Sequence, residues 1–191
     1  MLAKNDMITV DTAKIPPDKL NHPKLAPLKI QMELAFNHKK WMNAFCIHEA
    51  GHHIYLSKLG VTKFEYKGPR IEYDKEKDDF DGYMASVEPK SIPVVADDTD
   101  PYEIVKAGAK AWTAGGAFAE RLTNAPDNGD QGDRERFDAI CTGLKQRYSL
   151  VLDFDSLWKE GKSAVLKDLN SPAFRSMAWD KAHEIQSVFG W

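Results

Sequence analysis

The sequence predicts an α+β fold, predominantly α-helical, in a single domain that spans residues 1–191. Apolar residues recur every three or four positions from Leu28 to Leu59 and again after Asp100, a spacing typical of α-helices. Between these segments, residues 61–95 alternate apolar and polar side chains, which is typical of strands. The order of helix, small sheet and further helices therefore indicates the fold class.

The segment from Leu28 to Leu59 predicts the central helix of the core. Its apolar residues fall on most sides of the helix, as expected of a helix that other elements surround. Gly60 is a stop signal that marks its end. Residues 1–27 contain four prolines, so we predict an irregular N-terminal arm there, with at most a short helical turn.

Residues 61–95 predict a small antiparallel β-meander. Two alternating stretches lie on either side of a turn at residues 68–69, and a third lies at residues 83–87. The acidic stretch Asp74–Asp81, which precedes the third strand, is predicted to be an exposed loop.

The C-terminal half is predicted to be helical. Asp100 is a capping residue, Pro101 suits the first helical position and Glu103 the third, so a helix is expected from there to about Asn124. A polar loop covers residues 125–132. Helical spacing then predicts three further helices, near residues 137–148, 155–169 and 172–189, and Ser171-Pro172 is expected to cap the last of them.

The composition limits the classes of partner. Lys and Arg total 26 against 29 Asp and Glu, a net charge of −3, so no basic excess exists to bind nucleic acid. The apolar runs are only a few residues long, so no membrane segment is predicted. Cys46 and Cys141 lie far apart in the chain and form no CxxC pair, which favours a reducing, cytoplasmic location.

The sequence Cys46-Ile-His-Glu-Ala-Gly-His-His53 contains an H-E-x-x-H motif inside the predicted central helix. His48 and His52 are four residues apart, so both imidazoles lie on one face of the helix, where they can bind one zinc ion. Glu49 points about 100° away from His48 and can act as a general base on a water molecule that the metal activates. Two imidazoles and a carboxylate are costly inside an apolar helix unless something such as a metal satisfies them.

The motif alone leaves the third protein ligand open. An H-E-x-x-H-x-x-G-x-x-H arrangement is excluded, because Tyr55 and Lys58 stand where it needs glycine and histidine. Glu72 lies at a suitable distance along the chain but in strand-like sequence, which disfavours it. His53 points to another side of the helix and is expected to be solvated or bonded locally.

The motif His48-Glu-Ala-Gly-His52 resembles the zinc motif of the peptidase domain of the FtsH family, the membrane-anchored AAA+ metalloproteases. A second stretch, Gly115-Gly-Ala-Phe-Ala-Glu-Arg-Leu122, is similar to the Gly-Gly helix of that family. Gly129-Asp-Gln-Gly-Asp133 fits the family's G-x-x-x-D loop, whose last residue is the third zinc ligand. The resemblance therefore implies a zincin-like helical core with Asp133 as third ligand. Asp130 and Asp127 are alternatives, and a helix cap is the other role that Asp133 suits.

The resemblance covers the pattern of about residues 42–140. Gly115 and Gly116 would let their helix approach the zinc helix closely. Glu120 would hold a zinc-binding histidine or form a surface ion pair. The chain departs from the family in Ala117-Phe118, where a basic residue is usual, and in having neither an ATPase module nor a membrane anchor. A stand-alone peptidase domain is therefore expected.

The expected function is a zinc-dependent metallopeptidase acting on peptides or unfolded protein, with His48, His52 and Asp133 as metal ligands and Glu49 as general base. By resemblance to other zincins, an edge strand within 80–87 or 61–67 would bind the substrate as an added strand. Two alternatives remain at this stage: a non-catalytic zinc-containing module that binds a peptide or protein, and a metal-dependent amidohydrolase. The sequence leaves open an oligomer or a separate regulatory partner.

Overall fold

Six α-helices and five short strands form the part of the chain that the structure describes. A computed structural model describes residues 8–10, 12–91, 99–125 and 130–191, with the backbone alone of Phe36 and Asp130. The helices are α1 (Leu25–Phe36), α2 (Lys39–Lys58), α3 (Pro101–Thr123), α4 (Asp130–Tyr148), α5 (Phe154–Asp168) and α6 (Pro172–Phe189). The strands are β1 (Thr9–Val10), β2 (Phe64–Lys67), β3 (Arg70–Asp74), β4 (Asp79–Tyr83) and β5 (Ser86–Pro89). The predominantly helical α+β class predicted from the sequence is confirmed.

Helix α2 forms the centre of the main core, as its apolar composition predicts. Cys46, Ile47 and Ala50 are completely buried where α2 packs against α3 and α6. Helix α3 in turn packs against α5, so α2 is enclosed on several sides. Cys46 belongs to this core and Cys141 to a separate cluster between α3, α4 and α5; both thiols are free.

The predicted helix starts are confirmed in their hydrogen bonds. The Asp100 carboxylate accepts a bond of 2.9 Å from the backbone N–H of Tyr102, and Pro101 occupies the first position of α3. Ser171 caps α6 in the same way. The segment from Leu28 to Leu59 is divided, because α1 ends at Phe36 and α2 begins at Lys39.

The strands are present, but the prediction of a single antiparallel meander is wrong in its pairing. Strands β3 and β4 form an antiparallel hairpin with β1 added in parallel to β3, whereas β2 pairs with β5 in a separate antiparallel ribbon. Alternation predicts that a segment is extended but not which neighbour it pairs with. The predicted third strand is two strands, and the predicted acidic loop shortens to a turn at residues 75–78.

The described residues of the N-terminal arm, 8–10 and 12–27, are more ordered than the predicted irregular arm with at most a short helical turn, and they take part in the fold. Two 3-10 turns lie at Thr12–Lys14 and Pro17–Lys19, and β1 pairs with β3. Ile8 and Ile15 of the arm are buried together with apolar residues of α1, β3 and β4. The arm therefore completes a second, smaller core that lies apart from the one around α2.

Helix α1 belongs to the smaller core and crosses β4 at Gly82. A Cβ atom on Gly82 would lie 2.8 Å from the Met32 sulfur and 3.1 Å from Leu28 Cδ1. The absence of a side chain at residue 82 therefore lets α1 lie close to the sheet. None of the described helices is both long enough and apolar enough to cross a membrane.

Candidate metal centre

Three side chains from two helices meet at one point. His48 Nε2 and His52 Nε2 on α2 are 3.0 Å apart, and Asp133 Oδ2 on α4 lies 3.0 Å and 2.9 Å from them respectively. His48 and His52 are the residues that the motif assigned to a metal, and Asp133 is the third ligand that the family resemblance implied. Within the described residues they form a group whose ligand atoms all lie within 4.8 Å of one another.

The helices bring these atoms together through simple geometry. The four-residue spacing of His48 and His52 places both imidazoles on the face of α2 that meets α3 and α4. Asp133 lies in the first turn of α4, inside the helix, so it is not the cap that its position in the sequence also suited. Its carboxyl is buried, with 7% of the residue exposed.

Two glycines allow α2 and α3 to approach each other around the site. A Cβ on Gly51 of α2 would lie 2.6 Å from the backbone oxygen of Ala114 in α3. A Cβ on Gly115 would lie 2.5 Å from His48 Nε2 and closer still to His52 Nε2. The predicted close approach at the Gly-Gly helix is thus confirmed, and Gly115 leaves the space into which both imidazoles point.

The hydrogen bond on the far side of His52 determines which of its two ring nitrogens carries the hydrogen. His52 Nδ1 lies 2.8 Å from the backbone oxygen of Ala111, which can only accept, so Nδ1 carries the hydrogen. In the neutral ring, the lone pair of Nε2 then points at the Asp133 carboxylate and at His48. Such a bond to a backbone carbonyl commonly orients a metal-binding histidine.

This donor set fits a zinc ion. Two imidazole nitrogens and a carboxylate oxygen converge, and these are preferred zinc ligands. Their separations of 2.9–3.0 Å are slightly below the value of about 3.3 Å expected between ligands of a tetrahedral zinc. A zinc ion held by these three protein ligands would keep a fourth coordination position for water or substrate, as catalytic zinc sites require.

The electrostatics of the cluster require positive charge between the ligand atoms. Burial lowers the pKa of His52, but the adjacent Asp133 carboxylate outweighs burial and raises that pKa to about 9. Burial raises the pKa of Asp133, yet the charge of a protonated His52 and the contacts with both imidazoles hold it well below its ordinary value. The carboxylate therefore stays ionised, and either a proton or a metal ion has to balance it.

Glu49 lies beside the cluster without joining it. Its carboxylate is buried, and Oε2 accepts a hydrogen bond of 2.7 Å from the backbone N–H of Val87 in β5. Burial raises the pKa of Glu49, while His48, His52 and the Val87 N–H act in the opposite direction. One carboxylate oxygen is thus fixed by the sheet, and no hydrogen bond to a described residue holds the other.

The N–H of Val87 belongs to the edge of β5 that faces the metal ligands. Lys90 N donates to Lys63 O at the other edge, where β5 pairs with β2. Because alternate residues of a strand direct their N–H groups to opposite edges, Val87 N–H points away from β2 and reaches Glu49. In the described part of the chain, no strand pairs with this edge of β5.

The three candidate ligands and Glu49 line a cleft of about 860 Å³. Apolar side chains of α1, α2 and the β4–β5 connection form much of its wall, among them Leu28, Met32, Trp41, Phe45 and Met84. The cleft therefore lies between the smaller core, which carries α1 and β4, and the main core, which carries α2. Its size is within the range of sites that bind small molecules or short peptide segments.

Other residues considered from the sequence lie elsewhere. Glu72 is on β3, where it pairs with Arg70, and takes no part in the cluster. His53 bonds to the Tyr66 hydroxyl over 2.9 Å, and burial lowers its pKa to about 4. Glu120 forms an ion pair with Lys162, so its alternative role as a surface residue is the one observed.

Asp127 and Asp130 are the two alternatives to Asp133 as the third ligand. Asp127 lies outside the described residues, and the side chain of Asp130 is not described. Two participants were not predicted from the sequence: the Ala111 carbonyl and the Val87 N–H. Both are backbone groups, for which residue type gives no signal. Comparison with family models, with curated proteins and with solved structures finds no match to this chain.

Proposed function

We propose that this protein is a zinc-dependent metallopeptidase, similar in its active site to the peptidase domain of the FtsH family. His48, His52 and Asp133 bind the zinc ion and Glu49 is the general base. Its substrates are peptides or unfolded protein segments.

One observation carries the proposal more than any other. His48 and His52 come from a five-residue motif, whereas Asp133 is 81 residues beyond His52, yet its carboxylate lies 2.9 Å from His52 Nε2. An H-E-x-x-H sequence without a metal role has no need of a third, buried ligand of the right type at that point. The convergence supports a metal site, and Glu49 beside it supports hydrolysis.

In this proposal, the zinc ion supplies Lewis-acid chemistry, polarising the scissile carbonyl and making water a better nucleophile. Glu49 accepts a proton from the attacking water at the oxygen that Val87 does not hold, and passes it to the leaving amine nitrogen. The N–H of Val87 keeps the carboxylate oriented throughout. Burial of Glu49 raises its affinity for the proton, which suits a group that accepts one and releases it again.

The free edge of β5 and the apolar wall would orient an extended substrate. A peptide lying along β5 would pair through its main chain, so the sequence of the substrate would matter mainly through side chains that reach the wall. Because Glu49 already occupies the Val87 N–H, the peptide would pair with the remaining groups of that edge. This expectation rests on the resemblance to zincins.

A second candidate is a non-catalytic zinc-containing module that binds a peptide or protein. The Glu49–Val87 bond favours it, since a carboxylate that a backbone N–H holds can simply tie α2 to β5. The cleft and the free strand edge would then serve binding alone. The two candidates differ in whether Glu49 is needed for turnover or for stability.

The experiment compares wild type with Glu49→Gln, and uses Glu103→Gln as a matched control on the exposed surface of α3, where Glu103 pairs with Lys106. Zinc content is measured alongside hydrolysis of labelled casein, with chelator and after zinc is restored. We expect one zinc per chain in all three proteins, and chelator-sensitive hydrolysis in wild type and the control only. Hydrolysis by Glu49→Gln would contradict the role of Glu49. Zinc binding and peptide binding without hydrolysis in wild type would favour the binding module.

A further inference from the structure

A guanidinium group lies in the cleft one helical turn beyond Asp133. Arg136 is three residues after Asp133 on α4, so both side chains project from the same face of that helix, and both line the cleft. Its guanidinium carbon lies 5.7 Å from the centre of the Trp112 ring. The Trp112 ring is itself 5.7 Å from the His52 ring. The Trp112 ring is therefore close both to Arg136 and to His52 of the candidate metal centre.

Among the residues that the structure describes, Arg136 differs from the other cations near it in having no acidic partner. Lys77, which also lines the cleft, pairs with Asp74 and Asp81. Arg134, two residues away, pairs with Asp138 and Asp155. No carboxylate of the described residues lies within ion-pair distance of Arg136. Its positive charge is thus available to a molecule that enters the cleft.

The Trp112 ring restricts the orientation of the Arg136 guanidinium before a ligand binds. An arginine that stacks on an aromatic ring keeps its planar group in a restricted orientation, so it loses less side-chain entropy when it binds a ligand. The two N–H edges of a guanidinium match the two oxygens of a carboxylate. Glu135 and Asp81 also line the cleft, so a singly charged carboxylate suits this surface better than a phosphate of higher charge.

We propose that Arg136 binds a carboxylate of the peptide substrate and so sets the specificity of the site. This inference rests on the proposed peptidase function. The separations through Trp112 place the guanidinium carbon within about 11 Å of the His52 ring, a distance that about three residues of extended peptide span. The carboxylate therefore belongs to a residue up to about three positions from the cleaved bond, either as an acidic side chain or as the C-terminus of the chain.

Four peptides that differ only in their C-terminal group and at one position distinguish these sources. The first ends in a carboxylate, the second in an amide, and the other two are amidated with Glu or Gln three residues from the cleaved bond. Each is assayed with zinc-loaded wild type, Arg136→Gln and Arg136→Lys. The control is Arg147→Gln, on the same helix, because Arg147 also stacks on a ring, that of Tyr148 at 5.3 Å, but does not line the cleft.

We expect Arg136→Gln to raise KM for a carboxylate-bearing peptide by about 10- to 100-fold, as for loss of a charged hydrogen bond. The amide and Gln peptides, kcat and the zinc content should change little. Arg136→Lys should restore part of the affinity, and Arg147→Gln should resemble wild type. A preference confined to the first peptide identifies the C-terminus, and one confined to the Glu peptide identifies an acidic side chain. Equal KM values for all four peptides in wild type would overturn the inference and leave the peptidase proposal intact.

If no peptide is cleaved, the role of Arg136 is tested by peptide binding. The same four peptides, carrying a fluorescent label, are then titrated with zinc-loaded wild type and Arg136→Gln, and binding is followed by anisotropy. A carboxylate preference that Arg136→Gln abolishes would support the role of Arg136 although the proposed function had failed. Equal binding of all four peptides would overturn the inference.

Discussion

Gly115 on α3 lies directly against the imidazole of His52 on α2, at a point where a side chain of any size would enter the candidate metal centre. Glycine in the interior of a helix costs about 0.5–1 kcal/mol relative to alanine. At residue 115 this cost is offset by the space that both imidazoles use. The relationship links the packing of two helices to the ability of the site to hold a metal.

Gly115→Ala is therefore expected to weaken zinc binding. A methyl group at this position would displace both ligands, and disturbing ligand orientation lowers metal affinity by at least about tenfold. Gly108→Ala is the matched control, because Gly108 is on the same helix and a Cβ there meets nothing within 4 Å. The control should gain up to about 1 kcal/mol of stability and keep its zinc. Zinc titration and thermal unfolding measure both effects, and equal zinc affinity in the two variants would contradict this account of Gly115.

Without the charge of Asp133, added zinc should no longer stabilise the folded protein. A ligand at 100 times its Kd adds about 2.7 kcal/mol to the free energy of unfolding, so zinc should raise the melting temperature of wild type. Asp133→Asn should lose most of this increase. Asp138→Asn, on the same helix but paired with Arg134 at the surface, should retain it. The measurement is unfolding with chelator and with added zinc; a full zinc effect in Asp133→Asn would reassign the third ligand.

Val87→Pro should lower turnover without removing the metal. Proline lacks the N–H that holds Glu49, yet it breaks no bond to β2, because that N–H points to the opposite edge of β5. A general base displaced by about 1 Å can cost on the order of 100-fold in rate. Val87→Ala is the control, since it loses side-chain packing but keeps the N–H. We expect kcat to fall in the proline variant alone, at unchanged zinc content; equal kcat in both variants would mean that the backbone bond does not orient Glu49.

Gly82→Val should loosen α1. The new side chain would meet Met32 and Leu28 where α1 crosses β4, and overpacking of this kind costs about 1–3 kcal/mol. Gly143→Ala on α4 is the control for replacing a glycine where there is room, because a Cβ on Gly143 meets nothing within 4 Å. Hydrogen exchange should rise in α1 for Gly82→Val only, and the zinc site on α2 should persist. Unchanged protection of α1 would show that the helix adapts to the larger side chain.

Local sequence signals predicted the starts of α3 and α6, because each start depends on residues close together in the chain, but they did not show the break between α1 and α2. Asp100 with Pro101 marked the start of α3, and Ser171 marked that of α6. The strands were located less well. Their alternation was visible, but β2 pairs with β5 and β3 with β4, which depends on contacts that no local pattern records.

The candidate site divides in the same way. His48, Glu49 and His52 could be identified from one motif, because a single helical turn fixes their relative positions. Asp133 could be selected only through a resemblance, since spacing alone allowed several acidic residues. The bond from His52 to Ala111 and the bond from Val87 to Glu49 had no signal in the sequence, because each involves a backbone atom of another element.

By itself, then, the sequence indicated the fold class, most of the helical segments and the residue types that could bind a metal, because helical periodicity and capping act over a few residues. The tertiary structure decided that α4 delivers Asp133 to the face of α2 that carries the two imidazoles, and that Gly115 leaves room for them. It also decided that Arg136 enters the cleft beside Trp112. The physical reason is that these relationships are distances between helices, which the packing of buried side chains sets only when the whole chain has folded.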